Sequence, residues 1–369
     1  MKKRILILMG GQSGEHEVSL MSAISVLKAI NYSNYDVIPI GISKNGTWKF
    51  FKEDAKAIAE WTWQEAKSYL ENEEGEHVSV RTSTKEEPEG KLVVWNGHRR
   101  EEVELVFPVL HGPKGEDGTI QGMCEMLNIP YVGAGVLASS LGMDKGMTKK
   151  IVESMGISQA KYHLVTKQQW ESEKEEIVRG AEKAFSYPVF VKPCNLGSSV
   201  GVTKAKDQAT LIKGIDEALR HDGRILVERF VNAREVECGV LGNETPRASV
   251  PAEIIPHNEF YDYQDKYFDG KSRFEIPPKM SVNTIKTIKK ISLDVYKALG
   301  VTGLARVDFF VEKDTGEIFF NEINTMPGFT KISMYPKMWE VTGISYDQLI
   351  DELIQLGFSR HQKRERKIK

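Results

Sequence analysis

Residues 304–325, LARVDFFVEKDTGEIFFNEINT, decide how the rest of the chain is read. Two apolar-rich arms, Arg306–Val311 and Ile318–Asn324, flank the polar segment Lys313–Glu317. Gly316 suits a three-residue turn with a left-handed residue, so the stretch reads as an antiparallel hairpin. That register sets Asp308 opposite Glu322 and Arg306 opposite Asn324. Strand side chains alternate, which puts these four on one face and the phenylalanines on the other. Two carboxylates and an amide oxygen make an all-oxygen site suited to Mg²⁺. A hard cation held by few protein ligands usually also holds phosphate. The competing reading of the same residues is an exposed hairpin face with an Arg–Asp pair.

Working outward, residues 192–201, KPCNLGSSVG, place a lysine after a strand and before a turn of small residues. Small residues let backbone N–H groups approach phosphate oxygens, and Lys192 supplies a point charge. Gly197-Ser-Ser199-Val-Gly201 also satisfies GxSxG, the nucleophile elbow of serine hydrolases. That elbow needs an apolar helix after it, whereas Thr203–Asp207 is polar. A Walker A match fails, because Asp265 stands where the first glycine before Gly270-Lys-Ser272 should be. Residues 10–19, GGQSGEHEVS, sit where a strand turns into a helix. Glu15 and Glu17 suit the dipole at a helix start, yet would repel phosphate; Glu15 is better placed to hold an ammonium group. Residues 261–267, YDYQDKY, lie in the long stretch Glu253–Lys279, which shows neither helix nor strand period. They read either as a segment that closes over a site or as a surface turn. His111 opens a further polar turn, HGPKGEDG, and in isolation reads as structural.

Strand and helix alternate over the first 130 or so residues. Lys2–Met9 is a continuous apolar strand, Glu17–Ile30 a helix, Asp36–Ser43 and Leu105–Leu110 further strands, and Ala55–Leu70 a helix before a charged, poorly patterned stretch. This predicts a doubly wound parallel sheet with ligand at its glycine-bearing edge. A helix over Asp144–Met155 leads to short strands at Pro188–Pro193, Val200–Lys204, Ile225–Val231 and Glu235–Leu241, an antiparallel sheet with one crossover helix at Gln208–Arg220. A third unit carries a strand at Ala248–Ile255, a helix near Val282–Leu299, and the hairpin.

Composition bounds the function. At 369 residues, two or three packed units are expected. Fifty Lys+Arg against 52 Asp+Glu leave a net charge of −2 and no electrostatic reason for a nucleic-acid partner. The run Ile5–Met9 is far below the roughly 18 apolar residues a membrane span needs. Cys124, Cys194 and Cys238 form no CxxC, a pattern that fits a reducing compartment and argues against disulfides and structural zinc. Ser359–Lys369 is basic and reads as a solvated tail.

Taken together, GGQSGEHEVS, HGPKGEDG, MDKGMTK, KPCNLGSSVG, YDYQDKY, GLARVDFF and NEINTMPGFT occur in one order from residue 10 to about 334. The chain so resembles the ATP-grasp enzymes and, more narrowly, the D-alanine–D-alanine ligase family. Cys194 and Asn195 fall in a variable part of the glycine-rich loop, and the insert between about Trp48 and Arg100 is longer than in the shortest members. The resemblance implies an α/β chain: a Rossmann-like doubly wound domain at 1–135, then two α+β ATP-grasp subdomains at 136–243 and 244–358 clasping the nucleotide, then the tail at 359–369. It implies ATP-dependent joining of two D-alanines through an acyl phosphate for peptidoglycan precursor, in the cytoplasm and as a homodimer. The alternative acceptors are D-serine and D-lactate. Asp308, Glu322 and Asn324 would hold two Mg²⁺ (or Mn²⁺) ions. Lys145 and Lys192 would meet nucleotide phosphates, with Lys266 joining on loop closure. Glu228, Arg229, Phe230 and Val231 would border the adenine and Glu235 the ribose. Glu15 would take the first substrate's ammonium, helped by His111, and Ser198 and Tyr267 would hydrogen-bond with Glu15. Arg306 and the Gly328 N–H would stabilise the oxyanion, and Ser333 with Met334 would take the second substrate's carboxylate. Members that use D-lactate alter the Tyr267 position or its loop, so Lys266-Tyr267 implies an amine nucleophile.

Overall fold

In the computed structural model, β1 (Lys3–Gly10) carries Ile5–Met9 with every side chain fully buried. Ile5, Ile7 and Met9 enter one core and Leu6 and Leu8 another, so the run is apolar in both phases because both faces of its sheet are covered. The structure describes residues 2–72, 77–82, 92–197, 200–255 and 273–364.

The first unit continues with α1 (His16–Ala29), β2 (Tyr35–Ile42), β3 (Trp48–Phe50), α2 (Ala55–Ala59), α3 (Trp63–Glu71), β4 (Ser79–Thr82), β5 (Leu92–Trp95), β6 (Arg100–Val103), β7 (Leu105–Pro108) and α4 (Thr119–Met126). Its main sheet has the order β3-β2-β1-β7, with β2 and β7 parallel to β1 and β3 antiparallel to β2. Two expectations are corrected here. The helix read over Ala55–Leu70 is two helices, because Thr62 starts a new one with a capping box to Glu65. The poorly patterned stretch after it contributes a separate three-stranded antiparallel sheet, β4-β5-β6. Leu92, Val94 and Val103 of that sheet cover the core of Leu6 and Leu8.

Next come α5 (Val136–Met143), α6 (Lys145–Ser154), β8 (Tyr162–Thr166), α7 (Lys167–Ala184), β9 (Val189–Pro193), β10 (Thr203–Ala205), α8 (Gln208–His221) and β11 (Arg224–Arg229). Their sheet is antiparallel with order β10-β9-β11-β8, and it carries two helices where one was expected. The chain then forms β12 (Ala233–Gly242), β13 (Arg247–Ala248), β14 (Ala252–Ile255), β15 (Arg273–Glu275), α9 (Val282–Ala298), β16 (Gly303–Glu312), β17 (Ile318–Asn324), α10 (Met334–Thr342) and α11 (Tyr346–Arg364). The third sheet has the order β15-β14-β12-β16-β17, with β13 on β12. The strand at Glu235–Leu241, expected in the second unit, therefore belongs to the third. Both edges of β11 are already taken by β8 and β9, so β12 pairs with β16 along its whole length instead.

The last helix returns to the beginning. Leu349, Ile350, Leu353 and Ile354 of α11 are fully buried in the core of Ile5 and Ile7. The solvated tail is corrected for Ser359–Arg364, which continue the helix. Arg360 is buried, donates to the Tyr131 carbonyl at 3.1 Å and to that of Gly133, and lies 3.8 Å over the Tyr131 ring. Arg364 pairs with Glu125. Basic residues that look solvated in sequence thus fasten the chain's end to the first unit; residues 365–369 lie outside the described residues. All three cysteines are free and buried, and no described helix is long and apolar enough to cross a membrane.

Candidate active site

The hairpin pairs Arg306 with Asn324 and Asp308 with Glu322, as expected, but by a different route. Phe309 pairs with Phe320, so Asn321 is an extra residue in a bulge. The turn is correspondingly longer than three residues: Glu312 N–H donates to Glu317 O, closing Lys313–Gly316, with Gly316 at φ 73°. Strand alternation divides each adjacent pair of phenylalanines between the two faces. Phe309 and Phe320 enter the core, whereas Phe310 and Phe319 pack with Ala160 and Val231 beside the functional face. The expectation that all phenylalanines lie opposite that face is corrected accordingly.

On the face, Arg306 makes a two-pronged contact with Asp308, Nε to Oδ1 and Nη2 to Oδ2, each 2.7 Å. Its Nε also lies 3.2 Å from Glu237, which stands beside Asp308 on β12. Asn324 Nδ2 donates to Asp308 Oδ2 at 2.9 Å, and Lys145 Nζ is 3.3 Å from Glu322. Two cations already lie against the two carboxylates, which marks a face that calls for positive charge. Among the described residues no group of three or more His, Cys, Asp or Glu gathers as a metal site. The hairpin face offers two carboxylates and the Asn324 amide oxygen, hard donors of the kind that suit Mg²⁺ or Mn²⁺.

Across from the hairpin, the second sheet presents Lys192 on β9 and Glu228 on β11. Glu228 is buried and holds a lysine on each oxygen: Lys149 at 2.5 Å on Oε1 and Lys192 at 2.5 Å on Oε2. Burial pushes its carboxyl up, but the two lysines win and hold it down at about 2. Lys192 Nζ lies 5.8 Å from the Phe310 ring centroid, joining the two sheets, and Lys145 Nζ donates to Leu196 O at 2.6 Å, tying the glycine-rich segment to Glu322. Val231 lies in the apolar patch with Phe319. Arg229 reaches Glu312 at 3.7 Å, and the Phe230 ring lies 4.9 Å from Lys204 Nζ. Glu235 pairs with Phe310 across β12 and β16.

At the mouth of the first unit, Glu15 precedes α1 and is buried. A Cβ on Gly112 would come within 2.6 Å of its Oε2, and one on Gly197 within 2.7 Å. The carboxylate is thus seated between HGPKGEDG and the glycine-rich segment. His111 is buried with Nδ1 at 3.0 Å from Met326 O and Nε2 at 2.9 Å from Ser22 Oγ. Both ring nitrogens are engaged inside the protein, one on Met326 and one on Ser22. Burial holds its pKa down at about 4. Glu116 accepts from the N–H groups of Gly112 at 2.8 Å and Met326 at 3.0 Å. Its carboxyl is raised to about 8, first by burial and then by the neighbouring Glu15. Ser333 occupies the N-cap position of α10 without a side-chain capping bond, its Oγ accepting instead from the preceding Thr330 N at 3.1 Å, with Met334 buried behind it. A helix N-terminus attracts a carboxylate.

Sequence reasoning missed Ser22, Glu116, Lys149 and Glu237. Glu116 and Lys149 stand inside quoted motifs, and Glu237 follows Glu235 at strand spacing, a signal that was available. Ser22 carried none. Ser198, Ser199, Lys266 and Tyr267, with the YDYQDKY segment, lie outside the described residues.

Comparison with known proteins agrees with this assembly. Residues 4–134 match the family described as D-ala D-ala ligase N-terminus and residues 151–355 that described as D-ala D-ala ligase C-terminus. A D-alanine–D-alanine ligase of Clostridium acetobutylicum is 47% identical over 361 residues, 98% of this chain and 99% of its own. One from Acetivibrio thermocellus is 49% identical over 364 residues, 98% of this chain and 97% of its own. Among solved structures, the D-alanine-D-alanine ligase from Coxiella burnetii aligns with TM-score 0.84 at 34% identity over 99% of this chain and 96% of that one. The VanG D-Ala:D-Ser ligase from Enterococcus faecalis aligns with TM-score 0.81 at 38% identity over 97% and 100%. With its acidic hairpin, its paired lysines and both halves of the family pattern in place, the chain belongs to the D-alanine–D-alanine ligase family.

Proposed function

We infer that the chain is an ADP-forming ligase that joins two D-alanines for peptidoglycan precursor. The observation that carries this reading is the face of Arg306, Asp308, Glu322 and Asn324 set against Lys145 and Lys192. A carboxylate is a poor electrophile, so it must be activated before an amine can attack it. A carboxylate oxygen of the first D-alanine attacks the ATP γ-phosphorus and ADP leaves. The amine of the second then attacks the acyl carbon, and the tetrahedral adduct expels phosphate as the amide forms.

Asp308, Glu322 and Asn324 would hold the divalent ions, two by family analogy. When bound, those ions would supply positive charge that offsets the charge building on the transferring group. Lys145 and Lys192 would contact the phosphates, with Lys266 arriving on closure. Lys192 must then leave Glu228, freeing Oε2 to accept from the adenine 6-amino group, while the apolar patch of Val231, Phe310 and Phe319 receives the ring. Arg229 and Phe230 would border it, and Glu235 would take the ribose hydroxyls. Glu15 would hold the first ammonium, supported by Ser198 and Tyr267. Arg306 and the Gly328 N–H would receive the oxyanion, and Ser333 with Met334 the second carboxylate. The proposal includes a cytoplasmic site of action, where ATP is abundant, and a homodimer by family analogy; sedimentation tests the latter.

The deciding experiment is phosphate release from ATP with D-alanine, L-alanine, D-serine and D-lactate in turn, with Mg²⁺ or with chelator. Release is expected only with D-alanine and the metal, with D-alanyl-D-alanine as product. Release with D-serine or D-lactate at an equal rate would move the assignment to another acceptor, and metal-independent turnover would overturn it.

A further inference from the structure

The segment Met326-Pro-Gly-Phe329 follows directly on the acidic hairpin, and its backbone is held by side chains from distant parts of the chain. Met326 N–H donates to Glu116 at 3.0 Å, and Met326 O accepts from His111 Nδ1 at 3.0 Å. Phe329 N–H donates to Ser22 Oγ at 3.1 Å, and Phe329 O accepts from the Tyr346 hydroxyl at 2.5 Å. The two residues flanking Pro327-Gly328 thus have both their N–H and C=O groups fixed. Pro327 has no N–H, and no partner among the described residues takes that of Gly328.

Ser22 and His111 join two of these anchors into one chain. Met326 O can only accept, so His111 Nδ1 carries the proton and Nε2 is an acceptor. Phe329 N–H occupies a lone pair of Ser22 Oγ, so the hydroxyl hydrogen goes to Nε2, 2.9 Å away. Every member points one way: Phe329 N–H to Ser22, Ser22 O–H to His111, His111 N–H to Met326 O. Ser22 is fully buried on α1 and His111 nearly so, and neither offers an atom to a substrate without breaking the chain.

We propose that Ser22 and His111 are positioning residues that lock the Met326–Phe329 turn so that the Gly328 N–H is aimed at the oxyanion of the tetrahedral adduct. This rests on the ligase reading above, in which Gly328 is an oxyanion donor. It deepens that reading by assigning Ser22, and by giving His111 a role away from the substrate. The oxyanion forms only when the amine attacks the acyl phosphate, so loosening the turn should slow amide formation and spare phosphoryl transfer. Misplacing a reacting group by an ångström or losing one oxyanion donor costs roughly a hundred- to a thousandfold.

The test is Ser22→Ala, measured in two assays. Overall D-alanyl-D-alanine formation reports both steps. Positional exchange of oxygen label within ATP, dependent on D-alanine, reports acyl-phosphate formation alone. A roughly hundredfold fall in kcat is expected, with exchange within threefold of wild type and the D-alanine KM little changed. His111→Asn keeps a donor toward Met326 O but offers Ser22 no equivalent acceptor, and should show the same split in weaker form. The double variant should fall no further than Ser22→Ala, because the two residues act as one unit. Wild-type kcat in Ser22→Ala, equal loss in both assays, or a loss confined to the D-alanine KM would each overturn the proposal. Absence of D-alanine-dependent exchange in the wild-type enzyme would instead refute the ligase reading itself.

Discussion

Removing Lys149 offers the most direct check on the electrostatics of the nucleotide cleft. Lys149 and Glu228 are both nearly inaccessible, and their charged atoms lie 2.5 Å apart. Burial alone would drive the Glu228 carboxyl up and the Lys149 ammonium down; each is opposed chiefly by the other's charge. Breaking a buried pair by deleting one partner costs about 3–5 kcal/mol. Because Lys192 remains on the other oxygen, the lower end, about 3 kcal/mol, is expected for Lys149→Met. At a urea slope of roughly 3 kcal/mol/M, the unfolding midpoint falls by about 1 M. The deficit depends on pH. In the wild type the Glu228 pKa is held below its ordinary value, so its stabilisation is present above about pH 4.5 and is lost only as pH falls toward 2. With one lysine gone its pKa climbs, and the variant's deficit shrinks as acid neutralises the orphaned carboxylate. Adding both Glu228→Gln and Lys192→Met to Lys149→Met removes every charge of the cluster and should recover most of the loss. Urea melts from pH 4 to 8 on the three proteins settle it. An unchanged midpoint in Lys149→Met, or a triple variant no better than the single, would show that the cluster is solvated and the reasoning wrong.

Two further outcomes follow from the first unit's mouth. The Glu116 carboxyl is raised to about 8, so between its ordinary pKa and 8 the folded state binds the extra proton and stability falls as pH rises, by up to about 1.4 kcal/mol per pH unit. Glu116→Gln, neutral throughout, should flatten that slope in melts from pH 5 to 8; a wild-type slope in the variant would show that the group does not titrate there. Gly197→Ala places a methyl 2.7 Å from Glu15 Oε2, and steady-state kinetics should show the D-alanine KM rise roughly tenfold, about 1.4 kcal/mol, with the melting point unchanged. An unaltered KM would dissociate Glu15 from ammonium binding.

The main sheet was legible in sequence because β1 is apolar in both phases, and the acidic face because alternation fixes which hairpin residues share a side. The hairpin also shows the limit. The pairing of Asp308 with Glu322 came out right although the assumed turn was too short, since a bulge at Asn321 compensates one-for-one. Local pattern could not see that both edges of β11 were occupied, and so misassigned β12. It could not see that Arg360 finds two carbonyls and a tyrosine ring 227 and 229 positions away along the chain. His111 was legible as a residue to watch, but its role depends on Ser22, which no spacing marks. Motif reading finds side chains that meet a ligand and passes over those that hold the ligand's neighbours.

The return of α11 to the opening strand has a consequence for biosynthesis. Ile5 and Ile7 are buried partly by Leu349–Ile354, so the hydrophobic centre of the first unit cannot close until the chain through Ile354 has left the ribosome. During translation the earliest strands must wait, partly unsheathed, for the last helix to arrive. A chain cut short before that helix would leave an oily sheet face open to water, a ready mark for cellular quality control.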